Sequence, residues 1–169
     1  TRNSTATYYD GSTFSSEYID STELVTNGTF DTDISGWSSD GDATLAWNNG
    51  QLEITASTAG DTNQGAVQTI PVTAGKTYYF SIYIKSVIGR SRFSVRDGNS
   101  IFYSSLFNAA QDVYDETFTG FVTPTSNYIT LYAGSFDPGD VTLVDNVSVR
   151  EVIPVSGFGL VTASPNEPR

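Results

Sequence analysis

The side chains of this chain that could hold a metal or move a proton are almost all carboxylates. Among its 169 residues are 19 aspartates and glutamates against 8 lysines and arginines, with no histidine and no cysteine. Without histidine, the commonest general base and transition-metal ligand are gone. Without cysteine, so are a thiol nucleophile, a thiolate metal site and a disulfide frame. Any bound metal should therefore be a hard cation held by oxygens, with calcium the default. Carboxylates alone could hydrolyse a glycosidic bond if two of them were spaced across it. Asp115-Glu116 is the pair adjacent in sequence, but neighbours in a strand point to opposite faces and cannot act together. Ser-His-Asp chemistry is impossible and no phosphate-cradling glycine loop is present. The chain reads as a non-enzyme.

One carboxylate stands out. In 141–151 the odd positions Val141, Leu143, Asp145, Val147 and Val149 share a face if the strand is regular, and four of them are apolar. Alternation then points Asp145 at the core, where a charge needs a cation or several hydrogen bonds. Early in the chain, Asn27-Gly28-Thr29-Phe30-Asp31 combines a turn, a carboxylate and free carbonyls, the oxygen mixture calcium asks for.

The other chemistry available is stacking. Sugar rings present apolar C–H faces and a rim of hydroxyls, so their sites pair flat aromatic rings with amides, carboxylates or guanidinium groups. The chain has 10 Tyr, 10 Phe and 2 Trp. Trp37 reads as core, whereas Trp47, beside Asn49-Gly50, is the better platform. Tyr79, Tyr83, Tyr128 and Tyr132 come next, with Gln68, Lys85 and Arg96 as polar partners. Tyrosines are also good strand formers that cover solvated sheet faces, so each has a plain structural alternative.

These residues sit on a succession of short β-type runs separated by turn residues, with no helical period. The spacing predicts strands near 43–48, 51–55, 65–70, 77–86, 91–96, 99–103, 112–122, 127–133 and 141–151. Asn49-Gly50 is the strongest hairpin signal, with Asp97-Gly98 second. In 77–86 alternation puts Tyr78, Phe80, Ile82 and Ile84 inward and Tyr79, Ser81, Tyr83 and Lys85 outward. In 127–133 it puts Ile129 and Leu131 inward and Tyr128, Thr130 and Tyr132 outward. About nine such strands indicate an all-β, two-sheet β-sandwich. Residues 1–22 read as an arm or linker, 23–151 as the body and 152–169 as a polar tail. A formal charge of −11 and a pI near 4.1 argue against nucleic acid as a partner. No apolar run is long enough to insert in a membrane.

The ordered set Glu23-Leu24-Val25-Thr26-Asn27-Gly28-Thr29-Phe30-Asp31, Gly36-Trp37, Gly75-Lys76-Thr77-Tyr78, Phe80-Ser81-Ile82-Tyr83-Ile84-Lys85 and Val144-Asp145-Asn146-Val147-Ser148-Val149 resembles the carbohydrate-binding modules that accompany xylanases and glucanases. The resemblance spans roughly 23–151. It implies a galactose-binding-like jelly roll that binds a glycan or polysaccharide without catalysis. It also implies a structural calcium between the early motif and the last strand, at Asp31 and Asp145 with help from carbonyls near Asn27 and Thr29. Many members have Glu where this chain has Asp31, and often a second Asp where it has Asn146.

The ends carry a second resemblance. Thr1-Arg2-Asn3-Ser4-Thr5-Ala6-Thr7-Tyr8-Tyr9-Asp10-Gly11 and Gly159-Leu160-Val161-Thr162-Ala163-Ser164-Pro165-Asn166-Glu167-Pro168-Arg169 are similar to the two halves of a segment found in tailed-bacteriophage structural proteins. That implies a module on a virion surface or otherwise extracellular, in a tail, fibre or capsid accessory protein. Its partners would be glycans and other virion proteins. The alternative is a capsid decoration or assembly piece that makes protein contacts and binds no sugar.

Overall fold

The computed structural model describes residues 17–57, 64–97, 100–108, 115–135 and 137–154, and every regular element in them is a strand. In chain order these are β1 (Glu17–Ile19), β2 (Ser38–Asp40), β3 (Thr44–Asn48), β4 (Gln51–Thr55), β5 (Gln64–Pro71), β6 (Tyr78–Ile88), β7 (Arg90–Asp97), β8 (Ser100–Asn108), β9 (Asp115–Val122), β10 (Tyr128–Ser135) and β11 (Val141–Pro154). The first sheet runs β3-β4-β11-β6-β9, with β1 also paired to β11, and the second runs β2-β5-β10-β7-β8. Every pairing is antiparallel. This is the expected two-sheet jelly-roll sandwich.

Local chemistry accounts for the elements. Asn49 (φ 50°) and Gly50 (φ 85°) both take the left-handed conformation that a two-residue hairpin between twisted strands requires. Asn48 accordingly pairs with Gln51. The second hairpin joins β7 to β8, Asp97 opposite Ser100, with Gly98 outside the described residues. The inward sets of β6 and β10 are as alternation predicts, with Tyr78, Phe80, Ile82, Ile84, Ile129 and Leu131 all buried. Strands β1 and β2 were not expected, because three residues are too short to show a period. β1 pairs with the far end of β11, Glu17 opposite Pro154, so the first sheet extends past both ends of the 23–151 body.

Phe80 of β6 meets Phe93 of β7 across the core at 5.7 Å. At one end the sheets are also joined by hydroxyls. Thr142 is buried between Ser91, at 2.5 Å, and Ser135, at 2.8 Å. A buried hydroxyl needs such partners, and these three satisfy one another across strands of both sheets.

The expectation for Asp145 is corrected here. On β11 the buried residues are Thr142 and Val144, then Val147, Val149 and Val152. Val141, Leu143 and Asp145 face outward. The phase changes at a β-bulge. The ladder to β6 passes from Asp145 opposite Tyr83 to Ser148 opposite Ser81, three steps on one strand against two on the other. Asn146 absorbs the extra residue at φ 49°. Asparagine tolerates that left-handed conformation better than most residues.

Candidate functional site

The residues singled out for ligand binding fall in four places. On the outer face of the first sheet, β6 presents Tyr79, Tyr83 and Lys85, and β9 brings Asp115 and Phe121 alongside. The Tyr83 hydroxyl donates to one Asp115 oxygen at 2.5 Å and Lys85 Nζ to the other at 3.0 Å. The Tyr83 bond, then Lys85, hold the Asp115 carboxyl below its usual range. Burial, then the Asp115 bond and charge, push the Tyr83 phenol up to about 12. Tyr79 packs on Phe121, ring centroids 5.4 Å apart, beside a groove of about 610 Å³. Glu23 and Arg150 on the groove wall bond to each other at 3.2 Å, and Glu23 also accepts from Ser148 Oγ at 2.6 Å. The cations Lys85 and Arg150 of this face are thus each engaged with a carboxylate.

On the outer face of the second sheet, β10 presents Tyr128, Thr130 and Tyr132 in a row. β7 beside it presents Arg92, Ser94 and Arg96, with Tyr132 opposite Ser94. Tyr128 is exposed. Tyr132 lies on the predicted face yet is 0% exposed, because the Arg92 and Arg96 guanidinium groups each stand 4.6 Å from its ring centroid. Its ring cannot itself be a bare platform for a sugar. What the surface shows there is guanidinium over tyrosine.

Trp47 and Gln68 lie elsewhere. Trp47 is 45% exposed on edge strand β3, and its indole N–H donates to the Phe30 carbonyl at 2.7 Å, closing the sandwich edge against the 27–31 loop. Gln68 points inward on β5. Its amide oxygen accepts from Thr26 N at 2.8 Å, and its nitrogen donates to the carbonyls of Thr26 and Gly36 at 2.9 and 3.0 Å. With these bonds made it clamps the 26–36 segment to the core and has little left to offer a ligand. Its inward orientation was legible in the alternation of Ala66, Gln68 and Ile70.

The segments that carry the oxygens expected at a metal are neighbours. The 27–31 loop packs on the bulge, with Val147 N donating to the Gly28 carbonyl at 2.9 Å. Burial first, and then the negative charge of Asp31, raise the Asp145 carboxyl above its usual range, although Asn146 N–H donates to it at 2.7 Å. Thr29 Oγ1 donates to Asp31 at 3.1 Å and Asn27 Nδ2 to Asp33. Among the described residues no group of three or more acidic side chains forms a metal cluster. The donor set is two carboxylates that repel each other plus loop carbonyls, each with a lone pair to spare. That chemistry fits a hard cation.

Sequence reasoning missed Arg92, Arg150, Glu23 and Phe121. Arg92 shares parity with Arg96, and that spacing was the available signal.

A model of the carbohydrate binding domain family matches residues 22–150. A CBM4 structure is similar with a TM-score of 0.60 at 21% identity, over 75% of this chain and 99% of that one. The CBM22-1 xylan-binding domain of Paenibacillus barcinonensis Xyn10C gives 0.56 at 20% identity, over 77% and 94%. The enzymatically active domain of tailspike protein 4 of bacteriophage CBA120 gives 0.52 at 16% identity, over 76% of this chain and 21% of that one. At such identities these likenesses show the fold alone. No curated protein sequence matches the chain.

Proposed function

The chain belongs to the carbohydrate binding domain family, and we propose that it is a non-catalytic module that binds a glycan across the outer face of its second sheet. The observation that carries this placement is the contrast between the two faces. Lys85 with Asp115, Arg150 with Glu23 and Lys76 with Glu151 are ion pairs of the first sheet. On the second sheet, exposed Tyr128 and the hydroxyls of Thr69 and Thr130 lie beside guanidinium groups held in place by Tyr132. An open ring with preorganised donors is what a sugar's C–H face and hydroxyl rim require. The xylan-binding relative supports the ligand class.

A glycan array with wild type, Tyr128→Ala, Arg96→Ala and Tyr83→Ala tests this. Binding should be lost or weakened in the first two variants and kept in Tyr83→Ala. Loss with Tyr83→Ala alone would move the site to the first sheet.

Calcium joins the 27–31 loop to the bulge of β11 through Asp31 and Asp145, with loop carbonyls near Asn27 and Thr29, a structural role away from the glycan face. The setting is a virion surface protein that contacts other virion proteins. The terminal segments that resemble phage structural proteins support this, though they lie outside the described residues. The tailspike likeness is in keeping with it.

A further inference from the structure

The face just assigned to glycans carries a charge arrangement that selects among them, and the inference rests on that assignment. Tyr132 lies over Gly65 and Gly134. A Cβ at Gly65 would come within 2.9 Å of ring atoms and one at Gly134 within 2.3 Å of the hydroxyl. Two glycines therefore let the ring lie down on the sheet, and both guanidinium groups lie over it. Packing on the ring fixes the Arg96 guanidinium while leaving N–H edges for a planar anion. Lys76, Lys85, Arg90 and Arg150 each form an ion pair with a carboxylate. Arg96 forms none among the described residues, and its Nε donates to the neutral hydroxyl of Ser94 at 3.0 Å. A cation so placed, in a chain of charge −11, is held ready for a charge from outside.

We propose that this face selects acidic glycans of the uronate type. The Arg96 fork receives the sugar carboxylate, and Tyr132 positions it. Carboxylate recognition by a fork is bidentate and charge-assisted, which separates it from attraction to anions in general.

Calorimetric titration with oligogalacturonate, its carboxyl-reduced neutral counterpart and dextran sulfate tests the proposal on the whole chain. The uronate should bind about ten- to a hundred-fold more tightly than the reduced oligosaccharide, the worth of one charge-assisted contact. Added salt should weaken it. Arg96→Gln should abolish the difference. Arg96→Lys, which keeps charge without the fork, should restore it in part only, and it carries the test should Arg96→Gln fail to fold. Equal affinity for uronate and reduced oligosaccharide overturns the proposal while leaving glycan binding intact. Dextran sulfate binding as tightly as the uronate, with Arg96→Lys unchanged, overturns it in favour of general anion attraction. Binding to neither uronate nor neutral glycan overturns both this proposal and the reading beneath it.

Discussion

Asp145 stands opposite Tyr83 on the outer face of the first sheet, and Val147, two residues further along the same strand, is in the core. A regular strand would put the two on one side. The bulge at Asn146 reverses the phase, so the acid reaches the surface and the valines of the second half of β11 reach the interior. Asn146 is the residue that makes this possible. Asn146→Gly should leave stability within about 0.5 kcal/mol of wild type, whereas Asn146→Val, β-branched at φ 49°, should cost about 1–3 kcal/mol in chemical denaturation.

The same bulge is held by the early loop. A Cβ on Gly28 would fall 2.0 Å from the Val147 carbonyl oxygen, where backbone cannot give way. Gly28→Ala should therefore destabilise by about 2–4 kcal/mol and separate loop from strand. A melting temperature equal to wild type would contradict the packing.

Asp145 should couple stability to pH and to calcium with a defined sign. Its carboxyl is raised in the folded chain by burial and then by Asp31. The folded state therefore holds the proton more tightly. The associated stability is full below the unfolded carboxyl value and lost as pH rises through the folded one. At neutral pH without metal, Asp145→Asn should melt higher than wild type. Calcium should reverse the order, raising the wild-type melting temperature and leaving Asp145→Asn unmoved. An equal calcium response in both proteins would remove Asp145 from the metal site.

Across the ladder, the Tyr83 phenol is pushed up to about 12 by burial and by Asp115. In Asp115→Asn the burial remains but the charge is gone. The phenol should then titrate between that value and an ordinary tyrosine's in an ultraviolet titration, with Tyr83→Phe identifying the signal. An unchanged titration would mean that burial alone sets it.

How much of this was legible in the sequence depended on regularity. Asn49-Gly50 announced its hairpin because only left-handed residues make that turn, and β6 announced its inner face because its alternation is unbroken from Tyr78 to Lys85. Asp145 misled because a bulge leaves no mark in a hydrophobicity pattern, since one extra residue looks like one more step of the strand. Tyr132 was placed on the correct face, but its covering by arginines from β7 depends on strand pairing between distant segments. The 27–31 loop is close enough for the charge of Asp31 to be felt at Asp145 for the same reason in reverse, since the loop docks on β11 through Gly28 and Val147 and the acid's outward direction turns it toward the loop.

Gln68 separates a clamp from a ligand contact most sharply. Its nitrogen donates to two carbonyls, of Thr26 and Gly36, and its oxygen accepts from Thr26 N. Gln68→Leu deletes all three bonds and leaves part-buried backbone groups without partners, which should cost about 2–4 kcal/mol. Gln68→Glu should be worse at neutral pH, because it sets a carboxylate against two carbonyl oxygens. It should recover partly in acid, as a protonated acid can donate to one of them. If the amide only clamps the fold, both variants should bind glycan with wild-type affinity wherever they remain folded. A Gln68→Glu protein as stable as wild type that no longer binds glycan would instead make Gln68 a contact residue, with the 26–36 segment held by other means.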